Sequence, residues 1–223
     1  MRTANVKYCI SSSNFKTIKT SNFLFLFISN LSHSQSLSKQ FKSLSCPERW
    51  WVTTHLFVAK KAFQISNEAR LASKEMEKDT LLDHDADGGQ VDAFRHSYWM
   101  ARLSQEMCWR KALKLGKAHE KGNYQSFKKH KYEDHTIPDS AAGVMDLFNN
   151  KVGIEIGCIY KQLSSQELVF LLRDKILAGE MKVIQKNQQG QSLNCQGNVI
   201  GINAYSGVWN IPRCIVTSNT KRQ

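Results

Sequence analysis

Residues 83–108 read DHDADGGQVDAFRHSYWMARLSQEMC and concentrate the unusual chemistry of this chain. An acidic loop containing two glycines opens the stretch and leads directly into a helix. At helical spacing, Asp92 and His96 lie on the same face as Met100 and Leu103, which points toward a core. A buried acid and imidazole one turn apart must satisfy each other, a metal or a substrate, because unpaired polar groups cost on the order of a few kcal/mol.

A second predicted helix, residues 140–160, carries the matching half of this polar face. Asp146 and Asn150 share a lane with Gly153 and Gly157, and apolar rows flank the lane on both sides. The two glycines would let another helix approach closely, and the helix that bears the acid and imidazole is the natural partner. We therefore expect Asp92, His96, Asp146 and Asn150 to converge on one polar pocket. The alternative is a satisfied core network that fixes helix register.

Three further side chains are candidates for the same pocket. His119 and Glu120, near the end of another predicted helix, could add a ligand or a general acid/base, although a histidine also simply favours a helix C-terminus. Arg95 would serve as an anion clamp if it turned inward. Zinc binding through Asp92, His96 and either His119 or Glu120 is chemically plausible, but the known zinc-site spacings are absent.

The acidic loop has the start of a calcium-binding loop. Asp83, Asp85, Asp87 and Gly88 match positions 1, 3, 5 and 6 of an EF-hand, a pattern of oxygen ligands that suits calcium. Position 12, where a bidentate glutamate belongs, is Phe94. A calcium site formed by the three aspartates is one hypothesis. The other is a solvated acidic loop whose Asp87 caps the following helix.

Composition and charge bound the class of protein. The 223 residues are 41% hydrophobic and 22% charged, which is typical of a globular chain with one full core. Lys and Arg total 31 against 19 Asp and Glu, so the net charge is +12. This excess favours an anionic substrate or surface. No nucleic-acid recognition motif accompanies the charge, which argues against a specific nucleic-acid partner.

The amino end has the pattern of an export signal. Basic residues precede the apolar run FLFLFI at residues 23–28, and Ser34-Gln35-Ser36 supplies a small-x-small cleavage site. We predict a signal peptide over residues 1–36 and export to the periplasm or the extracellular space. The run is far short of the ~18 residues that span a bilayer, so no transmembrane segment is predicted. A buried Phe-rich strand is the alternative.

The rest of the chain predicts a mainly α fold, with one helical domain of about five helices and a small, disulfide-tied, β-like C-terminal flap. A tether or an ordered arm is expected over residues 37–49, the helical domain over 50–180 and the flap over 181–223. The predicted helices cover residues 47–78, 91–109, 110–121, 140–160 and 164–178. Residues 122–138 are predicted to form a surface loop that borders a substrate entrance.

Cysteine usage agrees with export. Five cysteines remain after the predicted cleavage, an odd number. Cys195 and Cys214 bracket a short segment rich in Gly and Asn and are predicted to form a disulfide. Two of the others, Cys46, Cys108 and Cys158, could also pair. The alternative is five reduced thiols in a cytoplasmic protein.

Three ordered motifs carry a resemblance to a known family: DAFRHSYW at residues 92–99, AHE at 118–120 and MDLFNNKVG at 145–153. They resemble the pattern D-A-F-R-H-A-Y-W, H-E and M-D-L-x-N-N-x-x-G of an uncharacterised bacterial domain family found in exported proteins and at the ends of large secreted, toxin-like chains. The resemblance implies a mostly helical domain but no particular activity. The site residues that it implies are Asp92, Arg95, His96, His119, Glu120, Asp146 and Asn150.

A fainter likeness is to the helical zinc-dependent phospholipase C and single-strand nuclease group. Trp50 or Trp51 followed by His55 is similar to the way those chains begin. The H-x-x-x-D spacings of that group are absent, so this chain departs from its three-zinc pattern.

Two functional hypotheses follow. The first is a hydrolase of a phosphoester or a cell-envelope polymer, with His96 as general base or metal ligand, Asp92 or Asp146 as its orienter, and a divalent metal, calcium or zinc, as a possible cofactor. The second is a non-catalytic binding or structural module of the periplasm or cell surface, which bound calcium could stabilise.

Overall fold

The computed structural model describes residues 38–129 and 138–223, except the side chains of residues 202 and 203. The chain divides into two compact units, residues 1–44 and 45–223. In the first unit, residues 38–43 are helical. The predicted signal peptide, on which the prediction of export rests, lies outside the described residues, as do residues 130–137 of the predicted entrance loop.

The second unit confirms the mainly α class. Its described residues form six α-helices, a short 3-10 helix at Ile202–Tyr205 and a small antiparallel sheet. None of the described helices is both long and apolar enough to cross a lipid bilayer. The helices are α1 (Cys46–Thr54), α2 (Leu56–Met76), α3 (Gln90–Glu106), α4 (Trp109–Lys128), α5 (Ser140–Ile159) and α6 (Ser165–Leu177), and the strands are β1 (Lys182–Ile184) and β2 (Ile215–Thr217).

Side-chain caps and a glycine place the ends of α5 and α6 where the sequence predicts them. The Asp139 side chain accepts hydrogen bonds from the first two free N–H groups of α5. Ser164 and Glu167 form a reciprocal capping box at the start of α6. Gly179 follows α6 with φ of +83°, a left-handed conformation that glycine adopts without steric cost.

Two predicted helix boundaries are wrong. The single helix predicted over residues 47–78 is broken at His55, whose backbone leaves the helical region (φ −133°, ψ 40°). The predicted stop at Gly122 does not occur, and α4 continues to Lys128. Gly122 is buried, and a Cβ there would overlap the Ser45 side chain. That glycine therefore permits close packing of α1 and α4 and does not end a helix.

Helix α3 lies at the centre of the unit. Its neighbours are α2, α4, α5, α6 and β1, so nearly all of its circumference is covered. One hydrophobic cluster contains Phe94 and Tyr98, and a second contains Met100 and Leu103. Because the helix is enclosed, any polar side chain on its faces must find a partner inside the protein.

The backbones of α3 and α5 pack in direct contact, as the glycine lane predicts. A Cβ at Gly153 would overlap the backbone carbonyl of Ser97, and a Cβ at Gly157 would overlap that of Ala101. The small residues on α5 therefore set the distance between the two helices.

The C-terminal segment contains the predicted disulfide and a small antiparallel sheet. The Cys195–Cys214 disulfide forms. Because Cys46 and Cys108 both remain as exposed thiols, no second bridge forms among the other three described cysteines. Residues 215–217 form a strand that pairs with residues 182–184, so the sheet joins the two ends of the segment.

This segment packs into the helical core. Met181, Ile184 and Leu193 are buried. The Asn149 side chain of α5 donates to the carbonyl of Lys182 and accepts from its N–H, both at 2.9 Å. This pair of bonds fixes strand β1 beside the polar face of α5.

A glycine substitution tests the contact between α3 and α5. Gly153→Ala is expected to lower the free energy of unfolding in urea by roughly 1–3 kcal/mol, because the added methyl group must push two backbones apart. Gly143→Ala, on the same helix, is the control, since its Cβ would meet only Glu120 Oε2 at 3.6 Å. The control should be neutral or more stable by up to about 1 kcal/mol. Equal stabilities of the two variants would contradict the close approach.

Candidate metal centre

Asp92 and His96 of α3 meet Asp146 of α5 in the interior. His96 Nε2 lies 3.4 Å from Asp92 Oδ1 and 3.4 Å from Asp146 Oδ1. One ligand atom from each residue lies within 4.8 Å of the others. The three side chains are almost fully enclosed, with residue exposures of 5%, 3% and 6%. The structure thus brings together the residues that the helical spacing predicts to converge.

The separations suit a tetrahedral ion better than a direct network. At 3.4 Å, neither carboxylate makes a normal hydrogen bond to the imidazole. Two ligand atoms that each lie about 2.0–2.1 Å from a tetrahedral zinc ion are roughly 3.3–3.4 Å apart. The imidazole and each carboxylate are therefore spaced as two ligands of a small divalent transition metal would be, and the ligand atoms of the two carboxylates lie within 4.8 Å of each other.

Several buried polar atoms of this group and of Asn150 lack hydrogen-bond partners among the described residues. His96 Nδ1 and Asp146 Oδ1 are buried and have no hydrogen-bond partner among the described residues. Both polar atoms of the Asn150 side chain also lack a hydrogen-bond partner among the described residues, and this residue is only 1% exposed. The Asn150 amide lies where a Cβ at Gly116 would contact it at 3.2 Å. Native interiors rarely leave so many polar atoms unsatisfied together. A ligand bound between the three side chains would satisfy Asp146 Oδ1, whereas His96 Nδ1 lies on the opposite side of the ring from Nε2 and would not reach it.

Arg95 connects the buried group to the surface. Its Nη2 lies 2.7 Å from Asp92 Oδ1 and 3.4 Å from His96 Nε2. The Arg95 side chain is 25% exposed, whereas the side chains of Asp92 and His96 are 7% and 4% exposed. Arg95 therefore does turn toward the site, and it supplies a positive charge at the rim.

The loop before α3 orients Asp92. Its second oxygen, Oδ2, accepts a hydrogen bond of 2.8 Å from the N–H of Gly88. Gly88 has φ of +80°, and a Cβ there would press on Ile184 of β1. The N-cap of α3 is Gly89, with no side-chain cap, so Asp87 does not cap the helix as the alternative of a solvated loop supposed. A glycine turn thus takes the place of a side-chain cap and positions the Asp92 carboxylate.

His119 and Glu120 of α4 border the centre without joining the three-residue group. The ring centroids of His119 and His96 are 6.3 Å apart. His119 Nδ1 pairs with Glu48 Oε1 at 3.0 Å. Glu120 Oε2 accepts a hydrogen bond from Asn123 at 3.2 Å. The two residues therefore lie beside the group formed by Asp92, His96 and Asp146, and Glu120 contributes negative charge to the surroundings of Asp146.

Glu48 is a residue that the sequence analysis missed. It falls in the predicted tether, yet it occupies the third position of α1 and closes a capping box with Ser45. Burial raises the pKa of Glu48, but the hydrogen bond and positive charge of His119 outweigh this and leave the pKa at about 2. The available signal was the S-x-x-E pattern of residues 45–48, which predicts a helix start and therefore an ordered glutamate.

The buried carboxyl groups bind protons unusually tightly. Burial raises the pKa of Asp92 to about 6, although the positive charge of Arg95 opposes this. Burial, together with the negative charges of Asp92 and Glu120, raises the pKa of Asp146 well above its ordinary value. Two carboxylates this close resist being ionised together, and a bound dication would relieve that repulsion.

The pKa of the His96 imidazole shifts in the opposite direction. Burial, followed by the positive charges of Arg95 and His119, lowers the pKa of His96 well below its ordinary value. His96 is therefore neutral near pH 7, which is the form that binds metals.

The acidic loop is neutralised by cations of the C-terminal segment. Asp85 Oδ2 pairs with Lys186 Nζ at 2.7 Å and with Arg222 Nη2 at 2.8 Å. Asp83 accepts hydrogen bonds from the N–H groups of Asp85 and Gln90. In the described part of the chain, the one group of three or more side chains spaced for a metal is Asp92, His96 and Asp146. Calcium binding by Asp83, Asp85 and Asp87 stays a prediction.

Comparisons with known proteins identify a domain but not a role. A family model described as "Domain of unknown function (DUF6973)" matches residues 49–180. Neither the search of curated proteins nor the search of solved structures found a match. The match spans all three sequence motifs and contains every residue of the three-residue group.

The pKa shifts predict how stability depends on pH when a chelator removes metals. Below about pH 6.5, the raised pKa values of Asp92 and Asp146 and the lowered pKa of His96 have opposing effects. Above about pH 6.5, His96 is neutral in both the folded and the unfolded chain. Of these three groups, only the carboxyl groups then bind different numbers of protons in the two states. Because the raised pKa of folded Asp146 lets it keep a proton over a pH range in which the unfolded chain has lost it, stability in EDTA should fall as the pH rises through that range.

Asp146→Asn should flatten this fall, since the amide mimics the protonated acid. The slope that one group contributes is at most about 1.4 kcal/mol per pH unit. Urea unfolding at several pH values measures it. Glu155→Gln, which neutralises an exposed carboxylate on the same helix, should keep the wild-type slope. A wild-type stability that rises over this pH range would contradict the prediction.

Proposed function

Because the chain belongs to the DUF6973 family of domains of unknown function, we propose its function from the site: a metal-dependent hydrolase, with zinc as the ion, acting on an anionic phosphoester. The observation that carries the proposal is the spacing of Asp92, His96 and Asp146, whose ligand atoms lie within 4.8 Å of one another in the interior. Other candidate substrates, such as cell-envelope polymers, share the requirement for an activated water.

The number of ligands supports a catalytic ion over a closed structural one. Structural zinc sites use four protein ligands, usually including cysteine, whereas catalytic sites use three and leave a position for water. The group here offers three ligands, one imidazole and two carboxylates. A water molecule on the fourth position would have its pKa lowered toward 7 and would supply hydroxide as the nucleophile.

Neighbouring groups can manage the proton and the developing charge. The Glu48 carboxylate holds Nδ1 of His119 at 3.0 Å, an arrangement that orients an imidazole for acid/base work. The Asn150 amide, buried and unsatisfied among the described residues, can donate to an oxygen of the substrate. In the proposed reaction, a water molecule would give one proton to solvent as its oxygen bonds to phosphorus, and the ester P–O bond would break. The leaving oxygen would take a proton from the His119 imidazolium, which solvent would then reprotonate.

Substrate choice follows from charge. Arg95 places a guanidinium at the rim of the centre, and the whole chain carries a net charge of +12. Positive potential at a buried metal attracts and retains an anionic group, and planar guanidinium groups match phosphoryl oxygens.

The second candidate function is a non-catalytic module, in which the same residues only tie α3 to α5. The near-complete burial of Asp92, His96 and Asp146 favours it, since catalytic centres need access for a substrate. The two candidates differ in whether the protein binds a stoichiometric transition metal and turns over an ester.

Metal content is the first test. Purified protein dialysed against micromolar zinc should retain one zinc ion per chain by elemental analysis, and His96→Ala should retain none. The control is His84→Asn. It removes an exposed histidine and keeps a residue that tolerates the positive φ of 58° at that position. Wild-type protein without stoichiometric zinc would refute the metal centre.

Hydrolysis is the second test. Zinc-loaded protein should hydrolyse bis(p-nitrophenyl) phosphate, and His96→Ala should lower kcat/KM by about 10²-fold or more, since the activated water is lost. His84→Asn should retain full activity. If zinc binds stoichiometrically but no phosphodiester or phosphomonoester is hydrolysed, the structural candidate replaces the catalytic one.

A further inference from the structure

The Arg95 guanidinium already occupies a position beside the proposed ligands. Its Nη2 contacts Asp92 Oδ1 at 2.7 Å and lies 3.4 Å from His96 Nε2. These two atoms are themselves 3.4 Å apart, so the three atoms form a compact isosceles triangle whose short side is the Arg95–Asp92 contact. The cation that Asp92 contacts in this structure is therefore a side chain of the same helix.

A metal and this guanidinium position exclude each other. A zinc ion about 2.0–2.2 Å from both Asp92 Oδ1 and His96 Nε2 would lie within about 4 Å of Nη2, wherever it sat around the line joining the two ligands. A dication and a guanidinium at that separation repel strongly in a buried setting. The ion would also take the Asp92 oxygen to which Arg95 now donates. Metal binding must therefore displace the Arg95 head group.

The displaced side chain has only one direction of easy movement. The Arg95 side chain is 25% exposed, whereas the side chains of its neighbours Asp92, His96 and Asp146 are 8% exposed or less. Movement toward the rim keeps the positive charge beside the ion and exposes the planar N–H fork. That fork pairs in a bidentate manner with phosphoryl oxygens.

We propose that Arg95 is an exchangeable cation: it holds the metal position closed in the unloaded protein and, once zinc displaces it from Asp92, clamps the phosphoryl group of the substrate. The inference rests on the proposed function and deepens it, since it specifies how the substrate class is recognised. The Asn150 amide, 1% exposed and without a hydrogen-bond partner among the described residues, supplies a second donor to the same anion.

Exchange has consequences that a purely structural ion pair does not share. Removing the guanidinium should raise the affinity for zinc, because the ion no longer has to displace a resident cation. It should lower the affinity of the zinc-loaded protein for phosphate, because the clamp is lost. An Arg95 that only fixes Asp92 in place predicts the reverse for zinc, since the ligand would be less well oriented.

Isothermal titration calorimetry at pH 7 measures both effects. Arg95→Met keeps the apolar stem and removes the charge. It should bind zinc at least tenfold more tightly than wild type, and the zinc-loaded variant should bind inorganic phosphate at least tenfold more weakly. Arg70→Met, which removes an exposed guanidinium on α2 that is hydrogen-bonded to Asn67, is the matched control and should leave both affinities unchanged.

Arg95→Lys keeps the charge and serves if the methionine variant does not fold. It should leave the zinc affinity within about threefold of wild type and weaken phosphate binding, since an ammonium lacks the planar fork. Tighter zinc binding with undiminished phosphate binding in Arg95→Met would overturn the clamp. Unchanged or weaker zinc binding in that variant would overturn the exchange. Wild-type protein that binds no zinc would refute the proposed function itself, which is a separate outcome.

Discussion

The contact between the backbones of α3 and α5 is the constraint on which the rest of the unit depends. Gly153 and Gly157 rest against the carbonyls of Ser97 and Ala101, which leaves no room for side chains between the two helices. The same lane of α5 contains Asn150 and Asp146, about one and two turns before Gly153. The distance that the glycines set at one end therefore brings the polar side chains together at the other.

This arrangement carries a stability cost that the surrounding segments offset. Buried carboxyl groups with raised pKa values and unsatisfied amide atoms destabilise a core when nothing occupies the space between them. The C-terminal segment restrains the site from outside, because Asn149 bonds both ways to the backbone of Lys182. The Gly88 N–H restrains Asp92 from the other side. A preorganised group of ligands, held by elements that do not themselves take part, is typical of a functional centre.

Features that depend on residues within a single helix were predicted correctly from the sequence. The inward face of α3 and the starts of α5 and α6 depend only on residues about a turn apart, and the structure has each of them within one residue of the prediction. The same reasoning failed at Gly122, which reads locally as a helix stop. Its actual role is to admit Ser45 from another helix, and no local pattern carries that information.

The candidate site also contains some features that the sequence predicts and others that it does not. The spacing of Asp92 and His96, and of Asp146 and Asn150, could be predicted because helical periodicity assigns each pair to one face. The involvement of Glu48 could not be predicted so directly, since its partner His119 is 71 positions away. The pairing of Asp85 with Lys186 and Arg222 crosses more than 100 positions and displaced the simpler expectation of a solvated acidic loop.

The sequence by itself determined which residues face inward and which helices can approach closely, because both follow from side-chain size and polarity repeated at the period of the helix. Only the tertiary structure decided which charges neutralise one another and how near the ligand atoms come. Those quantities depend on where separate elements end in space, and distances of a few tenths of an ångström between distant segments leave no trace in any local pattern.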